Sequence, residues 1–204
     1  MIANYSQLTI KQFLQCKLIA ELEPDPLIRK MKMLAEVSEI PFEDIETLPI
    51  GELVESLKDL SQIESLPEDS KVKMKFKLGG KRWTAKWRQQ ELTGEQYIDT
   101  THFCKNPDKI VSNIHLILAS LVVERTWYGR ELPYSGETHA DRADLFYREM
   151  KIQNAYPIML FFCTYYKKLA DNILTCLLTQ GEKLVKQMEQ RFGKNGDGSQ
   201  QSTT

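Results

Sequence analysis

Gly79-Gly80 lies between two runs in which apolar and basic residues alternate, and this leaves the surrounding chain few conformations to choose from. Two adjacent glycines accept the positive φ angles of a two-residue primed turn, and alternation with period two sends successive side chains to opposite sides of a strand. Residues 71–88 therefore read as an antiparallel hairpin. Pairing about the glycines sets Leu78 opposite Lys81, Phe76 opposite Trp83, Met74 opposite Ala85 and Val72 opposite Trp87. Val72, Met74, Phe76, Trp83, Ala85 and Trp87 then share one face, and Lys73, Lys75, Lys77, Arg82, Thr84 and Lys86 share the other. The segment holds eight basic residues and no acidic one, although the chain's formal net charge is only −1. A lone hairpin is marginal in water, so its apolar face needs helices or a third strand to cover.

Helical segments flank the hairpin. Thr9 and Gln12 have the spacing of a capping box, ahead of Ile10, Phe13, Leu14 and Leu18 at helical period. Asp25-Pro26 offers an N-cap followed by a first-turn proline, which predicts a helix over 27–37. Pro41 and Pro49 read as further helix starts, each followed by acidic residues suited to the positive end of a helix dipole. Residues 36–69 carry eleven acidic side chains against Lys58 alone, so an acidic helical block directly precedes the basic hairpin. After the hairpin, Thr93 and Gln96 form a second capping box for a helix reaching Phe103, and Asn106-Pro107-Asp108 caps another. The body of that next helix, Ile110 to Val123, is apolar nearly all round, as a central helix would be. Residues 126–136 read as a loop, residues 137–152 as a polar amphipathic helix, and about 156–192 as a long final helix. Residues 193–204 have the composition of a disordered tail.

At 204 residues the chain can bury a substantial core. The expected fold is α+β and predominantly helical: a multi-helix domain over 1–152 with the hairpin at 71–88, then a C-terminal helical extension over 153–192. Cys16, Cys104, Cys163 and Cys176 show no CxxC spacing and read as reduced, mostly buried thiols of a cytosolic protein. The start of the chain has no signal-peptide pattern, and the apolar run 157–163 is too short to span a bilayer. A soluble protein without membrane contact is the expectation.

Motifs that carry chemistry are scarce. His115 sits between Ile114 and Leu116 in the most apolar segment, where a core histidine is the plain reading. His102 and Cys104 are two residues apart on a helix and diverge, so they do not make half of a zinc site. His139 lies near Glu137 and Asp141 on a polar face. There is no GxxxxGK[ST] or GxGxxG phosphate loop. No catalytic residue, metal ligand or cofactor is assigned, and the chain is read as non-enzymatic. A Cys/His site assembled in space from Cys104, His102, His115 and His139 stays open as a third possibility.

Two surfaces are candidates for partner binding. One is the basic hairpin face, Lys73, Lys75, Lys77, Arg82 and Lys86. Lysines on an exposed strand also keep sheet edges from pairing with other chains, and that plain role ranks ahead of binding. Trp83 and Trp87 fall on the face away from the cations, which argues against a nucleic-acid platform that stacks bases on aromatic rings. An acidic protein partner ranks above nucleic acid on this basis. The other surface is the far part of the last helix, where Leu184, Met188 and Phe192 form a thin apolar stripe fit for another chain, a second copy included.

The order of elements resembles the tail assembly chaperones and related morphogenesis proteins of tailed bacteriophages. The resemblance runs from Leu8-Thr9-Ile10-Lys11-Gln12-Phe13 through the segment ending Ile40-Pro41-Phe42-Glu43-Asp44-Ile45-Glu46-Thr47-Leu48-Pro49. It continues through the lysine-rich strand pair into Leu92-Thr93-Gly94-Glu95-Gln96-Tyr97-Ile98-Asp99, the apolar helix around 113–123, and the helix bearing Ala143, Asp144, Phe146 and Met150. It covers roughly residues 8–152 and does not extend to the final helix. What it implies is a small, largely helical, non-enzymatic protein that aids virion assembly by binding phage structural or assembly proteins, in the host cytoplasm or the virion. It supplies no functional residue.

Overall fold

Side-chain caps set where the helices begin. Thr9 Oγ1 accepts from the backbone N–H of Gln12 while Gln12 Oε1 accepts from that of Thr9, which opens helix α1, Ile10–Leu22. Asp25 Oδ1 accepts from the N–H groups of Leu27 and Ile28 at 2.8 and 2.9 Å, and Pro26 begins α2, Pro26–Ser38. Glu39, left-handed at φ 57°, ends it. Helices α3, Phe42–Glu46, and α4, Ile50–Lys58, follow Pro41 and Pro49 as the sequence predicts. The computed structural model describes residues 7–58, 60, 73–86 and 91–163. All of these but Cys163 belong to one compact unit, Met1–Phe162.

The hairpin forms in the expected register. Strand β1, Lys75–Leu78, pairs antiparallel with β2, Lys81–Ala85, placing Phe76 against Trp83 and Leu78 against Lys81. Gly79 and Gly80 turn the chain at φ 55° and 71°, values that cost a residue with a Cβ but not glycine. Helix α5, Gly94–Cys104, then starts from the Thr93–Gln96 capping box.

Beyond α5 the structure corrects the sequence reading. Asn106 caps only a short 3-10 turn, Pro107–Lys109, and the apolar helix α6 is confined to Ile114–Leu121. Val122 leaves the helix at φ −107° and ψ 131°, and Val122–Arg125 is a third strand, β3, antiparallel to β2. The two β-branched valines fit a pleated, half-buried strand better than a helix, and β2 offered an open edge. Helix α7 is shorter than 137–152, running from His139 to Glu149. It stops because residues 150–152 cross the N-terminal segment: Ile10 N–H donates to Met150 O, and Ile152 N–H donates to Leu8 O. A separate helical run begins at residue 152, ahead of the expected start near 156. It is described to residue 163, and the rest of the long helix anticipated there lies outside the described residues.

The fold is thus mostly helical with a small three-stranded antiparallel sheet, ordered β1-β2-β3. Its core joins the sheet to the helices. Trp83 is 1% exposed and meets Phe146 of α7 edge-on at 5.1 Å between ring centres, while its indole N–H donates to Leu78 O. Phe76 adds a second edge contact to Phe146 at 6.3 Å. Ile114, Ile117, Leu118 and Leu121 of α6 are fully enclosed. The apolar face of the hairpin therefore covers helix, as its alternation requires. Among the described residues no helix is long and apolar enough to cross a membrane.

Candidate functional site

Strand alternation that buries Trp83 sends its neighbours the other way. Lys73, Lys75, Lys77 and Arg82 are all exposed. Register places Lys77 directly across from Arg82, and Arg82 directly across from Arg125 of β3. Three cations thus stand in a row across three strands. Like charges held opposite one another destabilise a sheet. Among the described residues no carboxylate lies within ion-pair reach of Lys73, Lys75, Lys77, Arg82 or Arg125.

Backbone carbonyls of the turn after β3 hold the two arginines instead. Arg82 Nη1 donates to Trp127 O at 2.9 Å, and Arg125 Nε donates to Gly129 O at 2.9 Å. The turn is itself braced: Thr126 N–H donates to Arg130 O, Gly129 N–H to Thr126 O, and Arg130 N–H to Thr126 Oγ1. Its tip presents Trp127, 82% exposed, and Tyr128, 62% exposed, with their rings edge-to-face at 5.4 Å. Between the turn and the strands lies a hollow of about 340 Å³, walled by Lys75, Lys77, Arg82, Arg125 and Thr126 among others.

Lys86 departs from the expected set. Its ammonium pairs with Glu131, and its side chain is only 15% exposed, so its charge is already answered inside the protein. Lys81 likewise pairs with Glu124 at 2.7 Å. Leu184, Met188 and Phe192 lie outside the described residues. Sequence reasoning missed Arg125, Trp127 and Tyr128, because all three depend on β3. A signal was there: Val122-Val123 runs into Trp127-Tyr128-Gly129-Arg130, a β-branched stretch meeting a turn with glycine. Gly129 takes φ 92° in that turn.

A second polar cluster joins α5, α6 and α7. His139 Nε2 lies 3.0 Å from Ser120 Oγ and 3.1 Å from Leu116 O. A carbonyl oxygen only accepts, so Nε2 carries the proton and is not a base for the serine hydroxyl. Ser120 is fully buried and its hydroxyl donates to Leu116 O. Around them, Tyr134 O–H donates to Asp99 Oδ2 at 2.6 Å, and burial together with Asp99 pushes the phenol pKa up. Arg142 lies over the Tyr134 ring at 4.5 Å and donates to Ala119 O, Ser135 O and Thr138 Oγ1. Burial holds the His139 imidazole below the usual histidine range, and does the same to His115, which packs on Tyr147. This cluster ties the 132–138 segment to three helices.

Cys16, buried on α1, is pushed up to about 12 by burial and by Glu36, which keeps it a neutral thiol. Among the described residues no group of three His, Cys, Asp or Glu side chains is placed to hold a metal ion. Comparison with protein-family models, curated proteins and solved structures finds no match to this chain.

Proposed function

We propose that this chain is a non-enzymatic assembly or adaptor protein that docks a polyanionic partner on the cationic face of its sheet. The observation that carries the reading is the cross-strand row Lys77–Arg82–Arg125, with Lys73 and Lys75 beside it and no ion pair to any of them among the described residues; Glu131, bridged to Arg125, pairs with Lys86 instead. A sheet that holds like charges opposite each other gives up some stability, and a partner bearing negative charge restores it on binding. Two arginines are already fixed in place by backbone carbonyls, so less side-chain freedom is lost when the partner arrives.

Tailed-phage morphogenesis is the proposed setting, and the resemblance of residues 8–152 to tail assembly chaperones is what supports it. In that setting the partner is a tail, tape-measure or portal-proximal protein with an acidic surface. The dock is tested by binding the purified chain to heparin, a generic polyanion, across a salt series. Retention at low salt that falls steeply with ionic strength, and is lost in Lys75→Glu/Lys77→Glu, is expected. Equal retention of the double variant would locate binding elsewhere. Co-purification with a named tail or portal-proximal protein, lost in the same variant, tests the setting.

A further inference from the structure

We infer that the hollow between the cationic strands and the 126–130 turn is a binding site for single-stranded nucleic acid. Phosphates would lie on Lys75, Lys77, Arg82 and Arg125, and bases would stack on Trp127 and Tyr128. The inference rests on reading this face as a polyanion dock, and is independent of the phage setting.

Three features of the site converge on this ligand. Four cations, together with Phe76, Trp83, Thr84, Thr126 and Gly129, line an open hollow of about 340 Å³ through which a chain of charges can pass. Two aromatic rings stand in water on the turn that gives Thr126 and Gly129 to its wall, Trp127 at 82% and Tyr128 at 62% exposed. A tryptophan left in water forgoes a large share of the burial free energy available to it, and the fold has a buried place for Trp83 but none for Trp127. Finally, ring and charge are mechanically linked, since Arg82 holds the carbonyl of Trp127 itself and Arg125 holds that of Gly129 in the same turn.

These features separate the possible polyanions. Carboxylates alone would satisfy the cations and leave both rings in water, so an acidic protein and a nucleotide strand are rival occupants of this face, which polyglutamate and oligothymidylate separate. Each unit of a nucleotide strand carries a phosphate and a flat base, and engages both at once. A duplex offers phosphates, but its bases are stacked on each other and closed to the rings. The hairpin's own Trp83 does not serve such a platform, because it faces the core; the rings that do come from a turn 44 residues on in the chain, whose place beside β2 depends on β3.

The test is fluorescence anisotropy of the full chain with labelled oligothymidylate, the matching duplex and polyglutamate. Oligothymidylate is expected to bind at low salt more tightly than either competitor and to quench the emission of exposed Trp127. Log affinity should fall against log salt by about 0.7 for each phosphate engaged, and Lys75→Gln/Lys77→Gln should flatten that slope by about 1.4. Trp127→Ala keeps the carbonyl that Arg82 holds, and should weaken oligothymidylate about tenfold with polyglutamate unchanged. An unchanged oligothymidylate affinity in Trp127→Ala, with circular dichroism like the parent's, overturns the inference and leaves the polyanion dock standing. Failure of all three ligands at low ionic strength removes the dock and the inference with it.

Discussion

The two faces of the three-stranded sheet are built from interleaved residues yet answer to different demands. On one face Phe76 and Trp83 meet Phe146 edge-on. On the other, one residue along, Lys77, Arg82 and Arg125 line up with no internal carboxylate partner among the described residues. The first face contributes stability through burial; the second gives up a little through repulsion. Period-two alternation is what lets both exist within nine or so positions, so the surface face can be changed without touching the core.

Substitutions should separate the faces cleanly. Trp83→Ala removes the sheet's main contact with α7 and is expected to cost about 3–5 kcal/mol in urea unfolding; a loss under about 1 kcal/mol would mean that the apolar face does not close the core. Gly79→Ala should cost about 1–2 kcal/mol, since φ 55° is strained for alanine and its Cβ would come within 3.0 Å of Leu145 Cδ1. Melting temperatures of the two variants give that order directly.

Acid should act first on the helix side. His139 and His115 have depressed folded pKa values, so below about pH 6.5 the unfolded chain takes up more protons than the folded one. Stability should be level above that pH and fall as pH drops through the window down to the folded values. His139→Gln is expected to flatten part of this slope in pH-dependent denaturation; an unchanged slope would mean that His139 is not depressed. The smallest effect belongs to the cationic face. Lys75→Gln and Lys77→Gln should leave stability within about 0.5 kcal/mol, or raise it slightly, while heparin retention falls. Destabilisation well beyond that would show the lysines to be structural.

Local chemistry was legible in the sequence. Both capping boxes, the Asp25-Pro26 helix start and the hairpin register follow from contacts between residues close in the chain, and each has the geometry its spacing implies. What escaped was decided at long range. Val122 and Val123 read as the end of an apolar helix until β2 is in place to pair with them. Met150 to Ile152 read as continuing helix until Leu8 and Ile10 lie alongside. The candidate site inherits the first of these gaps. Its lysines were visible as a pattern, whereas Arg125, Trp127 and Tyr128 join it only through β3. Lys86 reads as available in the sequence because its partner Glu131 lies 45 residues on and meets it only in the fold.

The crossing of residues 8–10 with 150–152 also bears on how the protein is made. Leu8 and Ile10 are wholly enclosed, and two backbone hydrogen bonds bind them to a segment some 140 residues later. Contacts so distant in sequence form late, since the intervening chain must be ordered first. A polypeptide still emerging from the ribosome would keep its first helix unfastened until residue 152 is clear of the exit tunnel. Nascent chains arrested before that point should remain open to protease near α1, and chains arrested well beyond it should be protected. Protection at the shorter length would mean that the N-terminal helices close on their own.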